Sequence, residues 1–110
     1  MQNAIDIASE VEKQLSKVFG DKLVKVMLYG SYAQASYTED SDIDILALVS
    51  QQDDYIKKNQ DQVVDIAAEL SSKHDIFISI IVKDETLFYK RSEYVPFYMN
   101  TARHGIEIHG

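Results

Sequence analysis

A Gly30-Ser31 pair, ten further residues and then Asp42-Ile43-Asp44 join a small, hydroxyl-bearing turn to two carboxylates. A glycine at the end of a strand lets the backbone approach a phosphate with no side chain in the way, and the hydroxyl and N–H groups that follow can donate to phosphate oxygens. Ser31 is the expected hydroxyl donor. Residues two apart in a strand project from one face, so Asp42 and Asp44 would present their carboxylates side by side while Ile43 and Ile45 point into a core. Two adjacent carboxylates repel unless a cation lies between them, and Mg2+ prefers a few carboxylate oxygens completed by water and substrate phosphates. Mg2+ bound with a nucleoside triphosphate is the expected occupant. The chemistry that such an arrangement serves is in-line nucleotidyl transfer, with Gly30 and Ser31 holding the nucleotide and Asp42 and Asp44 holding the metal as the catalytic pair.

The elements that must position these residues are legible on either side. Val24 to Tyr29 is an apolar run ending in the Gly30 turn, and Ile43 to Val49 is a second one. Ala4, Ala8, Val11, Leu15 and Val18 recur at helical spacing, which predicts an amphipathic helix from Ala4 to Phe19 stopped by Gly20. Asp53-Asp54 lead into a second helical pattern through Val63, Ile66, Ala67 and Leu70, ending near Ser71-Ser72-Lys73 and expected to pack across the sheet. A third strand is expected from Asp75 to Val82. Asp84-Glu85 open a short helix, Pro96 starts another that runs toward Arg103-His104, and Ile106-Glu107-Ile108 is expected as a short edge strand after Gly105. The fold class is α/β (α+β), a small mixed β-sheet flanked by helices, with residues 1–110 as a single domain.

Gly30-Ser31-Tyr32-Ala33 and Ser41-Asp42-Ile43-Asp44, at this interval and between two strands, resemble the minimal nucleotidyltransferases of the DNA polymerase beta superfamily, small proteins often found as antitoxins beside a HEPN-domain toxin. The resemblance spans nearly the whole chain and implies a polymerase-beta-like nucleotidyltransferase core. It also implies Mg2+ as cofactor, ATP as substrate, and transfer of AMP to a hydroxyl, most readily a tyrosine, of a cognate HEPN ribonuclease toxin in a hetero-oligomer. The chain departs from the family pattern twice. Gln34 and Ala35 stand where arginine and glycine often follow, and Ser79 aligns with the third carboxylate that active members carry in the next strand. Asp75 would share a face with Ser79 but lie roughly 13 Å from it at about 3.3 Å per residue, too far to substitute. A second reading follows from Ser79: a binding module that keeps the nucleotide fold and neutralises its toxin by docking.

The net charge of −7 argues against broad binding to nucleic acid, which needs clustered Lys and Arg, and disfavours transfer to RNA. The absence of cysteine excludes a disulfide framework or a thiolate metal site. Without a basic and apolar leader or a run long enough to span a bilayer, the expectation is a soluble, cytoplasmic protein with no membrane contact. Lys57-Lys58 and Lys90-Arg91 read as solvated charge. Tyr29, Tyr32 and Tyr37 lie near the motif, yet amphipathic rings more often cover core edges than stack on a base. Tyr89, Tyr94, Phe97, Tyr98 and Met99 suit either the core of two short helices or a partner surface, with the core reading favoured. His74, His104 and His109 show no ligand spacing with the aspartates.

Overall fold

The computed structural model describes residues 4–30 and 42–109. Helix α1 (Ala4–Phe19) is followed by a 3-10 turn over Gly20–Lys22, strand β1 (Leu23–Tyr29) and strand β2 (Ile43–Val49). Helices α2 (Asp53–Lys58) and α3 (Gln60–His74), strand β3 (Ile78–Asp84), helices α4 (Glu85–Arg91) and α5 (Pro96–His104) and strand β4 (Ile106–His109) complete the order. The strands form one mixed sheet in the order β3-β2-β1-β4, antiparallel except for the parallel β2–β3 pair. That parallel pair needs a long crossover, which α2 and α3 supply.

Period-two alternation divides β2 between two environments. Ile43, Ile45, Ala47 and Val49 are buried with Val26 and Leu28 of β1 and Ile78 and Val82 of β3 beneath α1 and α3, whose Val11, Leu15, Val63 and Leu70 enter the same cluster. Each such Val, Leu or Ile side chain contributes roughly 1.5–3 kcal/mol on leaving water. Leu46 and Leu48 face the other way, where Met27 and Phe88 bury them and Tyr29, Ile81 and Tyr98 pack at the margin. Asp44 shares their parity. One side of the sheet is therefore the main core, and the other carries the candidate site under the thinner cover of α4 and α5.

Most of the expected elements are present, including α1 with its Gly20 stop, which adopts a φ of +57°. Asp84 caps α4 by accepting from the Thr86 N–H at 2.9 Å. Two differences have local causes. The second helical pattern is broken at Asn59, whose amide donates to the Tyr55 carbonyl while its own oxygen accepts from Gln62, so that α2 ends and α3 begins there. Asp75 is not in the third strand: it ends α3 in the left-handed region at φ +51°, a conformation aspartate tolerates. The Ser71 hydroxyl accepts from the Ile78 N–H at 2.9 Å, and β3 starts only at Ile78. Asp75 is thus removed from any comparison along the strand with Ser79.

Glu10 joins the two main helices, bonding Lys73 at 2.7 Å and the well-buried His74 from the far end of α3. The Lys73 hydrogen bond first, and then His74, hold the Glu10 carboxyl below its ordinary 4.5. A lowered folded-state pKa contributes stability above the ordinary value that is lost as pH falls through the folded one. Glu10→Gln is expected to cost about 0.5–1 kcal/mol at neutral pH. Urea melts of both proteins from pH 7 down to 3 should show that difference closing below 4.5.

Candidate active site

β1 and β2 run antiparallel with Tyr29 opposite Asp44, and β3 runs parallel to β2 with Ser79 on the other side of the same aspartate. Asp44 is consequently flanked by a phenol and a hydroxyl. Asp42 lies one residue before β2 begins, exposed, rather than within the strand as its motif implied. The strand entry is fixed by the Ile43 N–H donating to the Phe77 carbonyl at 2.9 Å. Gly30 follows β1 with φ +76°, where a side chain is strained. A Cβ there would stand 2.5 Å from Asp44 Oδ2 and 3.4 Å from its Cγ. The glycine therefore serves two ends, the turn conformation and the room that the carboxylate occupies. Ser31, like Tyr32, Tyr37 and Ser41, lies outside the described residues.

Electrostatics follow from this crowding. Burial raises the Asp44 pKa above its ordinary 3.8, and the negative charge of Asp42 raises it further. Burial, helped by the Asp44 charge, pushes Tyr29 up to about 12, so its phenol stays protonated at neutral pH. Among the described residues no group of three His, Asp or Glu side chains gathers. The donor chemistry at Asp42 and Asp44 nevertheless fits Mg2+: two carboxylates with hard, acceptor-only oxygens, the charge of Asp42 raising the Asp44 pKa, beside a glycine cradle that a Cβ would fill. Substrate phosphates and water would complete such a shell.

A cleft of about 210 Å³ adjoins this corner, lined by Tyr29 and Gly30 at the end of β1 and by Phe97, Asn100, Thr101 and His104 of α5. Tyr29 meets Phe97 edge to face, centroids 5.6 Å apart at 85°, and so belongs to a core margin. Tyr98 likewise packs on Phe88 at 5.3 Å. Tyr89, Tyr94 and Phe97 remain exposed, so the C-terminal aromatics divide between core and surface. His74 is taken up by Glu10, whereas His104 lines the cleft. The cleft had no signal in the sequence, because its two walls come from β1 and α5, far apart along the chain.

A mixed four-stranded sheet with a glycine turn facing a strand aspartate is the frame of a nucleotidyltransferase. Residues 7–108 match the family described as polymerase beta nucleotidyltransferase, and the chain belongs to that family. A candidate protein adenylyltransferase of Methanocaldococcus jannaschii is 36% identical over 104 residues, covering 94% of this chain and 97% of its own. Among solved structures, a toxin–antitoxin with AMP-PNP superposes with a TM-score of 0.58 at 21% identity, over 93% of this chain and 73% of that one. A tri-AMPylated HEPN toxin in complex with MNT antitoxin, from Shewanella oneidensis, gives 0.54 at 18% identity, over 96% and 72%. At these identities the structural matches establish the fold. Among the described residues, no helix is long and apolar enough to cross a membrane.

Proposed function

We propose that the chain is a single minimal domain that binds ATP and Mg2+ between the Gly30-Ser31 turn and Asp42/Asp44 and transfers AMP to a hydroxyl of a HEPN toxin, most readily a tyrosine, acting in the cytoplasm as its antitoxin. The observation that carries this reading is the convergence of Gly30 on Asp44: the turn suited to phosphate leaves no room for a Cβ beside the carboxylate suited to the metal. The named activity of the archaeal relative and the toxin–antitoxin structures of the same fold support the acceptor and the partner. In the reaction the acceptor oxygen attacks the α-phosphorus, the bond to pyrophosphate breaks, and the hydroxyl proton leaves to solvent. Mg2+, when bound, supplies positive charge against the phosphate oxygens. Gly30 leaves the backbone open to them, Asp42 and Asp44 hold the cation, and Tyr29, kept neutral, adds no further charge beside Asp44.

Ser79 supports a second reading. It stands beside Asp44 where the family's third acid is expected, and a chain short of that acid could neutralise its partner by contact alone. Intact-protein mass spectrometry of the HEPN partner, incubated with this protein, Mg2+ and each nucleoside triphosphate in turn, separates the two. AMP-sized increments that appear with ATP and vanish with Asp42→Ala/Asp44→Ala are the expected result. A stable, toxin-silencing complex with no increment would establish the binding module instead.

A further inference from the structure

Among the described residues the cleft beside Gly30 measures about 210 Å³, below the roughly 300–1,000 Å³ of pockets that enclose a drug-sized ligand, and is of a size for one ring. Among the described residues its lining holds no lysine or arginine to meet a polyanion. What it offers is the half-exposed Phe97 ring, braced edge-on by Tyr29 and at 5.4 Å by Tyr98, in one stripe of α5 with the polar side chains of Asn100 and His104. An aromatic ring carrying a hydroxyl matches both halves of that wall.

The surroundings point to a ligand that arrives as part of a protein. Phe97 lines the cleft and also belongs to the helix–turn–helix unit of α4 and α5, which exposes Tyr89 at 40%, Tyr94 at 66% and Phe97 at 41%. The same unit is less acidic than the chain as a whole. Residues 83–104 carry four Lys or Arg against three Asp or Glu, a balance of +1, leaving −8 on the rest of a chain whose net charge is −7. Lys90, Arg91 and Arg103 form no ion pair with a described residue. Exposed aromatics among unpaired cations make a surface for an acidic protein face.

We propose that the cleft between the end of β1 and α5 is the acceptor pocket, receiving a tyrosine-type side chain from a protein whose acidic surface docks on α4 and α5. This rests on the transferase reading above for its purpose, but its binding step stands without nucleotide or metal. The probe is a synthetic peptide with one tyrosine flanked by glutamates, titrated into the full chain and followed by amide NMR shifts. Shifts concentrated at Gly30, Phe97, Asn100, Thr101 and His104 are expected, with those on α5 retained in Asp42→Ala/Asp44→Ala protein, so that failure of the metal site and failure of the pocket are distinguishable. Affinity should fall about 10-fold or more with Phe97→Ala, and equally with Asn100→Trp, which fills the cleft from an exposed helix position with little risk to folding. Lys90→Glu/Arg91→Glu should weaken the glutamate-flanked peptide and strengthen a lysine-flanked one. Absence of shifts at the cleft, a peptide with serine in place of tyrosine binding equally well, or displacement of the peptide from the cleft by adenosine would overturn the proposal. The last outcome would make the cleft a nucleobase site.

Discussion

Replacing Asp44 with asparagine is expected to reduce AMP transfer by about 10³-fold or more and, in the same protein, to raise thermal stability when no metal is present. The first effect follows if Asp44 holds the cation, because loss of several kcal/mol of charge stabilisation corresponds to three or more decades in rate. The second follows from its surroundings. Burial, and then Asp42, raise the Asp44 pKa in the folded chain. A carboxyl raised in this way contributes stability below its ordinary 3.8 that is lost as pH rises through the folded value, so at neutral pH the ionised group works against the fold. Asparagine removes that charge. Melting curves in a chelating buffer at pH 7 should place Asp44→Asn above the parent by a few degrees, and added Mg2+ should raise the parent alone. Lower stability of the variant under both conditions would mean that Asp44 serves the fold rather than the ion.

Gly30→Ala is expected to cost about 10²-fold in transfer while leaving a folded protein. Placing a side chain in the left-handed region costs roughly 1–2 kcal/mol, which a domain of this size can absorb. The greater consequence lies opposite. A methyl group 2.5 Å from Asp44 Oδ2 must drive the carboxylate aside. Displacing a reacting or metal-holding group by about 1 Å is enough for two decades in rate. Mg2+ titration monitored by the melting temperature checks the cause: Gly30→Ala should respond to the ion far more weakly than the parent. A variant with normal transfer and normal Mg2+ response would show that the close packing of Gly30 on Asp44 is incidental.

Much of this architecture could be read from local pattern. The spacing of Val11, Leu15 and Val18 fixed α1, and the apolar run from Ile43 to Val49 marked a strand, with Asp42 and Asp44 set against Ile43 and Ile45, which do enter the main core. Gly20 and Pro96 punctuated helices because their backbone preferences act within one turn. Reading failed where a side chain bonded its own neighbourhood. Asn59 divided a helical pattern that apolar spacing alone would continue, and Ser71 drew the Ile78 N–H into a turn that kept Asp75 out of the strand. The site shows the same division. Gly30, Asp42 and Asp44 stood out by type and interval, whereas the pairing of Tyr29 and Ser79 on either side of Asp44 depended on strand register. The cleft depended on α5 folding back toward β1, and no short stretch of sequence records that return.

The two unlike sides of the sheet bear on how this protein can change over time. Residues that hold the chain together, from Val11 and Leu15 to Val63 and Leu70, are gathered under α1 and α3, and those proposed to do chemistry lie on the opposite side. Substitutions at Asp44, Ser79 and the exposed α5 positions Phe97 and Asn100 can therefore accumulate with little loss of folding stability. Such a lineage can lose a third acid, alter its acceptor or fall back on contact alone, and still inherit an intact scaffold from which the lost activity can be regained.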